Sequence, residues 1–432
     1  MLEQKLKKNL DTLFGNNFLS KIAIAVSGGA DSVALLLLLS DWCKNRAIKI
    51  TVLTVNHNLR LEAVEETQYV YDLSNKLGHQ CIILNWNHQN NYSNLSARAR
   101  EGRYRLMTEF CIQEDILVLF VGHHLDDMLE NFLIRQERKS GILGLSSSTI
   151  YYYHDVRIIR PLYNFTKSEL IQYLKNLEIK WFEDSSNKND KYLRSRVRNT
   201  LTTYQKDTKN QLIDELAEVN VIAQQINSDL IKVIAESVII YQCGVAVLDI
   251  TKFQNYYHEI KLKLLGLLLN IIGGKNNSAK ANSIDSIINI LSDGVDSFIK
   301  TLHYCYIQKI GTNLLIYRSF GKNMPIEVVI DKKEIKWDNR FVIKYQGSLK
   351  NLCVTYLSKE DFASIKQQLD VEMIKDRLPL GWKNILFTLP VLKTLEKIIA
   401  LPHISYYDGY NFNDEIEVSF QPNFTSRFIH FY

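Results

Sequence analysis

The chain has 432 residues, room for two or three domains, with 46% hydrophobic and 23% charged residues and only 6 prolines, which excludes a disordered or collagen-like polymer. Its net charge of +5 permits a polyanionic partner without demanding one. Six scattered cysteines with no C-x-x-C pair speak against a structural zinc or iron–sulfur centre, and no apolar run is long enough for a signal core or a bilayer span, so a soluble cytoplasmic protein is the expected class.

In chain order, strands are expected at 22–26, 50–55, 81–84, 116–121 and 157–160, with helices at 32–42, 61–77, 96–113 and 125–135 between them. Strands apolar on both faces, interleaved with helices, imply an α/β domain with a parallel sheet covered on each side. Ligands on such sheets sit at the carboxyl ends of the strands. Around Thr200 the texture changes. Leu212, Leu216, Val219, Ala223, Ile226, Leu230 and Val233 step by four and three, the mark of one long amphipathic helix. A Gly-Asn-Lys loop at 273–283 separates two further helical stretches, and from about Val328 β-branched and aromatic residues alternate. The expected organisation is an α/β domain at 1–205, a helical middle at 206–325 and a small α+β domain at 326–432.

The first strand runs through Ser27-Gly28-Gly29-Ala30-Asp31-Ser32 directly into an apolar helix. A strand-to-helix turn exposes backbone N–H groups where the helix dipole favours anions, and the two glycines let the backbone approach a ligand closely. Ser27 and Ser32 add hydroxyls. The turn suits phosphate, yet it is neither a Walker loop nor G-x-G-x-x-G. Asp31 beside phosphates would be repulsive unless a cation such as Mg²⁺ lay between them; otherwise it caps the helix.

"SGGADS" after an apolar strand resembles the PP-loop of the N-type ATP pyrophosphatases, which split ATP between the α and β phosphates. "VNHNLR" (55–60), "ARAREGRY" (97–104), "GHHLDDMLEN" (122–131), "RIIRPL" (157–162) and "WFEDSSNKNDKYLRSRVRN" (181–199) follow in order. Together they resemble the tRNA(Ile)-lysidine synthetase family across the first half of the chain. Asn56, Asn58 and Asn131 stand where that family usually has Asp, Gly and Thr. The resemblance implies a catalytic PP-loop domain followed by tRNA-contacting domains, and the segment 376–406 vaguely resembles the family's terminal tRNA-binding domain without its basic cluster. It further implies ATP-dependent ligation of free L-lysine to C2 of the wobble cytidine in the CAU anticodon of tRNA(Ile), through an adenylated cytidine, changing the codon read from AUG to AUA. ATP and Mg²⁺ are the implied cofactors. No membrane partner is expected, and a homodimer is among the compatible states.

On that basis Ser27, Gly28, Gly29, Ala30, Asp31, Ser32 and Arg103 are expected to bind ATP, and Asp31 and Asp126 to hold the metal. The second half-reaction needs a neutral amine, and deprotonating a lysine of pKa near 10.4 at neutral pH costs about 4–5 kcal/mol. A carboxylate that binds the ammonium and takes a proton is the natural device. Asp127 and Glu130, three apart on a first helical turn, face one direction and are assigned to lysine; taken alone, they could equally serve the helix dipole, with His123 and His124 packed beside them. Arg198 is expected to reach the active site with Asp31, Asp127 and Glu130, while the arginines beside it and beside Arg103 would touch tRNA. Two rivals remain: a PP-loop tRNA thiolase, and an RNA-binding module on a dead nucleotide fold.

Overall fold

Strand β1 (Lys21–Ala25) is the hub of a six-stranded sheet, flanked by β2 (Lys49–Asn56) on one side and β4 (Val118–Val121) on the other. With β3 (Gln80–Asn85), β5 (Ile150–Tyr153) and β6 (Val156–Ile159), the strand order is β3-β2-β1-β4-β6-β5. All pairings are parallel except β5 against β6. The computed structural model describes residues 2–422 apart from 16–18, 45, 57–61, 87–94, 154, 184–192, 276, 321–326, 332, 348, 350, 396 and 409–414. Asn58 therefore lies outside the described residues.

The strands are apolar on both faces because both faces are covered. Ile22 and Ile24 point to helices α1 (Leu2–Phe14), α2 (Ala30–Cys43) and α7 (Lys167–Asn176), through Leu6, Leu10, Leu35 and Leu170. Ala23 and Leu53 point to the opposite layer, where Tyr104, Met107 and Cys111 of α4 (Leu95–Gln113) pack. Helix α3 (Glu62–Lys76) covers β2 and β3. Helices α5 (Leu125–Glu137), α6 (Ile142–Leu145), α8 (Leu193–Thr203) and α9 (Lys206–Ser237) complete the α-helices of this half.

Gly102 sits in the middle of α4, where glycine costs about 1 kcal/mol relative to alanine. The reason is packing: a Cβ there would stand 2.2 Å from the Trp86 indole nitrogen. Trp86 is buried, and its backbone N–H donates to the Asn56 carbonyl at 2.9 Å, closing the carboxyl end of β2. Gly102→Ala is expected to lose more by overpacking than it gains in propensity, a net loss of about 1–2 kcal/mol measurable as a lower denaturant midpoint.

The chain divides into two compact units, residues 1–227 and 228–425, with the division inside α9. Alongside the two expected helices α11 (His258–Gly273) and α12 (Ala281–Ser292), and a short α10 (Ile250–Phe253), the second unit carries five antiparallel strands before residue 325. These are β7 (Val238–Tyr241), β8 (Val245–Asp249), β9 (Phe298–Leu302), β10 (Cys305–Ile310) and β11 (Asn313–Arg318). The expected boundary at 325 does not separate two cores. Val245, Leu315 and Tyr317 share one apolar cluster with Leu357, Leu386, Ile398 and Leu401. Asp338 also pairs with Arg318 at 3.1 Å and with Arg340 at 2.7 Å, all three buried. A chain ending after 325 is expected to expose the β8–β11 face and bind a hydrophobic dye such as ANS, whereas the full chain stays dark.

Candidate active site

The turn from β1 into α2 lies at the carboxyl edge of the sheet, beside the turn that follows β4. Strand order reverses between these two neighbours, and a crevice opens at such switch points. Here it is a cleft of about 380 Å³, lined by Ser27, Gly29, Asp31, Arg103, His123 and Asp127 among others. That size suits a small molecule.

Two neighbours fix the loop. Gly28 takes φ +83°, a left-handed conformation that glycine tolerates at no cost, and its carbonyl accepts the Phe182 N–H at 2.9 Å. The Ser32 hydroxyl donates to the Gly29 carbonyl at 2.9 Å and accepts the Ser27 N–H at 3.1 Å. Ser27 N–H and Ser32 Oγ therefore brace the loop here. Ala30, Asp31 and Ser32 open α2, so their amides have no partners within the helix and can serve an anion. Gly122 lets the β4 turn approach: a Cβ there would be 3.2 Å from the Asp31 carbonyl and the Ser32 Cα. This contact brings the two turns, 90 residues apart in sequence, onto one site.

His124 is the centre of the acidic side. It is buried, with Nε2 3.5 Å from both Asp31 and Asp127 and Nδ1 3.5 Å from Asp126. Burial opposes its charge, but the contacts with Asp126 and Asp31 and the Asp127 charge outweigh that and raise its pKa to about 10. Burial likewise pushes Asp31 up, and the His124 contact and charge more than reverse it, so its carboxyl lies below the usual value. A histidine raised from 6.5 to about 10 on folding contributes stability that is complete below pH 6.5 and fades as pH climbs through 10. In metal-free protein, thermal stability should decline across that window, and His124→Gln should flatten the decline.

The three aspartates are not equivalent. Asp126 accepts the Lys167 N–H at 2.7 Å, at the start of α7, and touches the opposite edge of the imidazole from Asp31. Asp31 and Asp127 share the Nε2 edge, whereas Asp126, the other residue expected to hold the metal, lies at the Nδ1 edge. Asp31 Oδ1 is buried with no hydrogen-bond partner. An orphaned carboxylate oxygen beside a phosphate-binding turn fits Mg²⁺, which commonly takes only one or two carboxylates and leaves the rest to phosphate and water. No group of three or more metal-binding side chains occurs among the described residues.

Asp127 lines the cleft; Glu130 lies behind it and is 2% exposed. Both are held by α8, whose Val197 and Leu201 pack with Met128 and Phe132 of α5. Arg194 Nη2 donates to Asp127 Oδ1 at 2.8 Å and Arg194 Nε to Glu130 Oε2 at 2.9 Å. Arg198 Nε donates to Glu130 Oε1 at 2.7 Å. Arg198, expected at the active site, and Arg194 both meet Glu130, whose two oxygens are engaged. The matching spacings, carboxylates three apart and arginines four apart on two helices, were the available signal.

Arg103 and His123 also line the cleft, with Arg100 and Arg160 close enough to act on His123. Burial, then Arg160, Arg100, Arg103 and Arg194, hold His123 well below its usual pKa, so it is neutral. Arg100 and Arg103 lie 5.2 and 5.7 Å from the centre of the Tyr104 ring, and Arg160 lies 4.6 Å from that of Tyr151, whose hydroxyl donates to Tyr104 Oη at 2.9 Å. Arg160 was not singled out from the sequence. It lies one residue past β6, and only strand pairing places it near α4.

A glycine turn that opens a helix at a sheet switch point, with an orphaned aspartate beside it, defines a nucleotide-binding domain of the PP-loop class. A family model described as a PP-loop domain matches residues 2–205. Curated tRNA(Ile)-lysidine synthases from Rickettsia felis and Rickettsia typhi are each 47% identical to this chain over 432 residues, covering all of both chains. That of Rickettsia bellii is 47% identical over 434 residues with the same full coverage. The chain belongs to the tRNA(Ile)-lysidine synthase family. Among solved structures, a U34-tRNA thiolase from Methanococcus maripaludis matches 51% of this chain and 79% of its own, at 17% identity and a TM-score of 0.45. No described helix is long and apolar enough to cross a membrane.

Proposed function

We propose that the chain ligates free L-lysine to C2 of the wobble cytidine in the CAU anticodon of tRNA(Ile) at the expense of ATP, which leaves as AMP and pyrophosphate. One observation carries this reading: the glycine turn and Asp127, on which one half-reaction each would depend, line a single cleft, with Glu130 tied to Asp127 behind it through Arg194. The amides of Ala30 to Ser32 and the guanidinium of Arg103 receive the ATP phosphates. Asp31 would hold Mg²⁺, which would supply positive charge to the departing phosphates. The cytidine O2 bonds to the α-phosphorus as the bond to pyrophosphate breaks, making that oxygen a leaving group.

Asp127 and Glu130 then hold the lysine ammonium and Asp127, on the cleft wall, takes its proton as the amine replaces the adenylated oxygen. Neutral His123 and the surrounding arginines, among them Arg100 and Arg160, form a wall suited to RNA phosphates and to the cytidine itself. The second unit is the natural seat of further tRNA contacts, and a homodimer remains compatible with one cleft per chain.

The thiolase reading fares worse. All six cysteines are buried, and burial pushes Cys43, Cys111, Cys243 and Cys305 up to about 12. None lines the cleft, and a thiol held protonated by burial is a poor sulfur-transferring nucleophile. The deciding experiment incubates the protein with ATP, labelled lysine and bulk tRNA, then digests to nucleosides for mass spectrometry. Label in a lysine-substituted cytidine supports the reading. ATP consumption that requires a sulfur donor and ignores lysine would refute it.

A further inference from the structure

Two guanidinium groups already neutralise the two carboxylates proposed to receive lysine. Arg194 bridges Asp127 and Glu130 with contacts of 2.8 and 2.9 Å, and Arg198 grips Glu130 at 2.7 and 3.3 Å. Glu130, 2% exposed, has both oxygens engaged, and Asp127 Oδ1 is taken by Arg194. An ammonium entering between the two carboxylates has to compete with a guanidinium for those oxygens.

The geometry selects which. Arg194 bridges both carboxylates, as an ammonium bound between them would. Its side chain is 43% exposed against 32% for Arg198. It lies in the first turn of α8, while Arg198 lies a turn deeper, between Val197 and Leu201 packed on α5. Moving Arg194 breaks two polar contacts and no apolar ones of that cluster; moving Arg198 would disturb the seat of the helix.

We propose that Arg194 is a placeholder cation: it holds Asp127 and Glu130 in the substrate-free protein and is displaced by the ammonium of free lysine. This rests on Asp127 and Glu130 being the lysine site. Lysine affinity is then set by a competition, and the apparent affinity is lower than the intrinsic one by the fraction of time Arg194 leaves the pair open. The placeholder also keeps two carboxylates from repelling one another while the site is empty.

The test is the lysine KM of full-length protein in lysidine formation, at saturating ATP and tRNA, for Arg194→Gln, Arg194→Lys and Asp127→Asn. Arg194→Gln should lower KM about tenfold, the weight of one lost competing ion pair. Arg194→Lys should fall between that variant and the native protein, because an ammonium cannot bridge as a planar fork does. Millimolar guanidinium chloride should raise the KM of Arg194→Gln back towards the native value. An unchanged or higher KM in both Arg194 variants overturns the displacement, and if Arg194→Gln is insoluble, Arg194→Lys decides. Asp127→Asn separates the two failures. A KM raised by Asp127→Asn without tightening at Arg194 rejects only the placeholder, whereas an unchanged KM in Asp127→Asn removes the lysine site and the placeholder together.

Discussion

Replacing Asp31 by alanine is expected to slow pyrophosphate release from ATP by about 10²–10³-fold, the range seen when one preorganised charge-stabilising group is removed from an active site. The carboxylate stands at the opening of α2, with Oδ1 buried and unpartnered, beside the amides proposed to receive phosphate. Nothing in the core depends on it. Its other contact, to His124, is shared with Asp126 and Asp127, so the imidazolium keeps two carboxylates when Asp31 is gone. The fold should therefore survive, and the thermal midpoint should move little. Asp31→Asn should be almost as slow, because an amide is a poor magnesium ligand. Pyrophosphate release close to the native rate in either variant would remove the metal role from Asp31.

Glu130→Gln is the second change with a large expected effect, and the ion pairs alter what it should do. If the carboxylate met only lysine, losing its charge would spare adenylation entirely. Instead it also anchors Arg198, whose charge reaches Asp31, and shares Arg194 with Asp127. The amide leaves two guanidinium groups against one carboxylate. Breaking a buried pair can cost 3–5 kcal/mol, but both arginines keep solvent contact, so about 2 kcal/mol of stability is the better expectation. Lysine capture should suffer most, since the ammonium loses a charge-assisted contact worth roughly 1.5–3 kcal/mol, about tenfold to a hundredfold in KM. Pyrophosphate release should fall less than tenfold, through the loosened Arg198. Parallel assays of pyrophosphate and lysidine across lysine concentrations read both. Equal losses in the two steps would place Glu130 with ATP instead of lysine.

What could be read from the sequence follows from short-range physics. Strands at 22–26 and 116–121 were legible because apolar residues on both faces leave no choice but a covered sheet. The loop at 27–32 was legible because a glycine turn into a helix exposes amides whatever lies around it. The long helix of α9 was legible from its four-and-three step, and Leu212, Ala223, Leu230 and Val233 are all buried. By contrast, the strands between 238 and 318 went unread. They are short, four to six residues, and they sit among helices whose 3.6-residue period dominates a window of that width.

Site assignment divides along the same line. The sequence by itself determined which residue types stand near the cleft: a phosphate turn, carboxylates at 126, 127 and 130, and arginines after residue 193. Only the tertiary structure decided what each one touches. Asp126 and Asp127 are neighbours in the chain, yet successive residues on a helix turn by about 100°, so one meets the Lys167 amide and the other the cleft. Glu130 is buried against arginines 64 and 68 residues away, a partnership that exists only once α8 has docked on α5. The union of 243–317 with 357–404 in one core was hidden for the same reason. Periodicity and turn chemistry act between near neighbours and are written in the sequence, whereas charge pairing and core sharing depend on which distant surfaces the folded chain brings together.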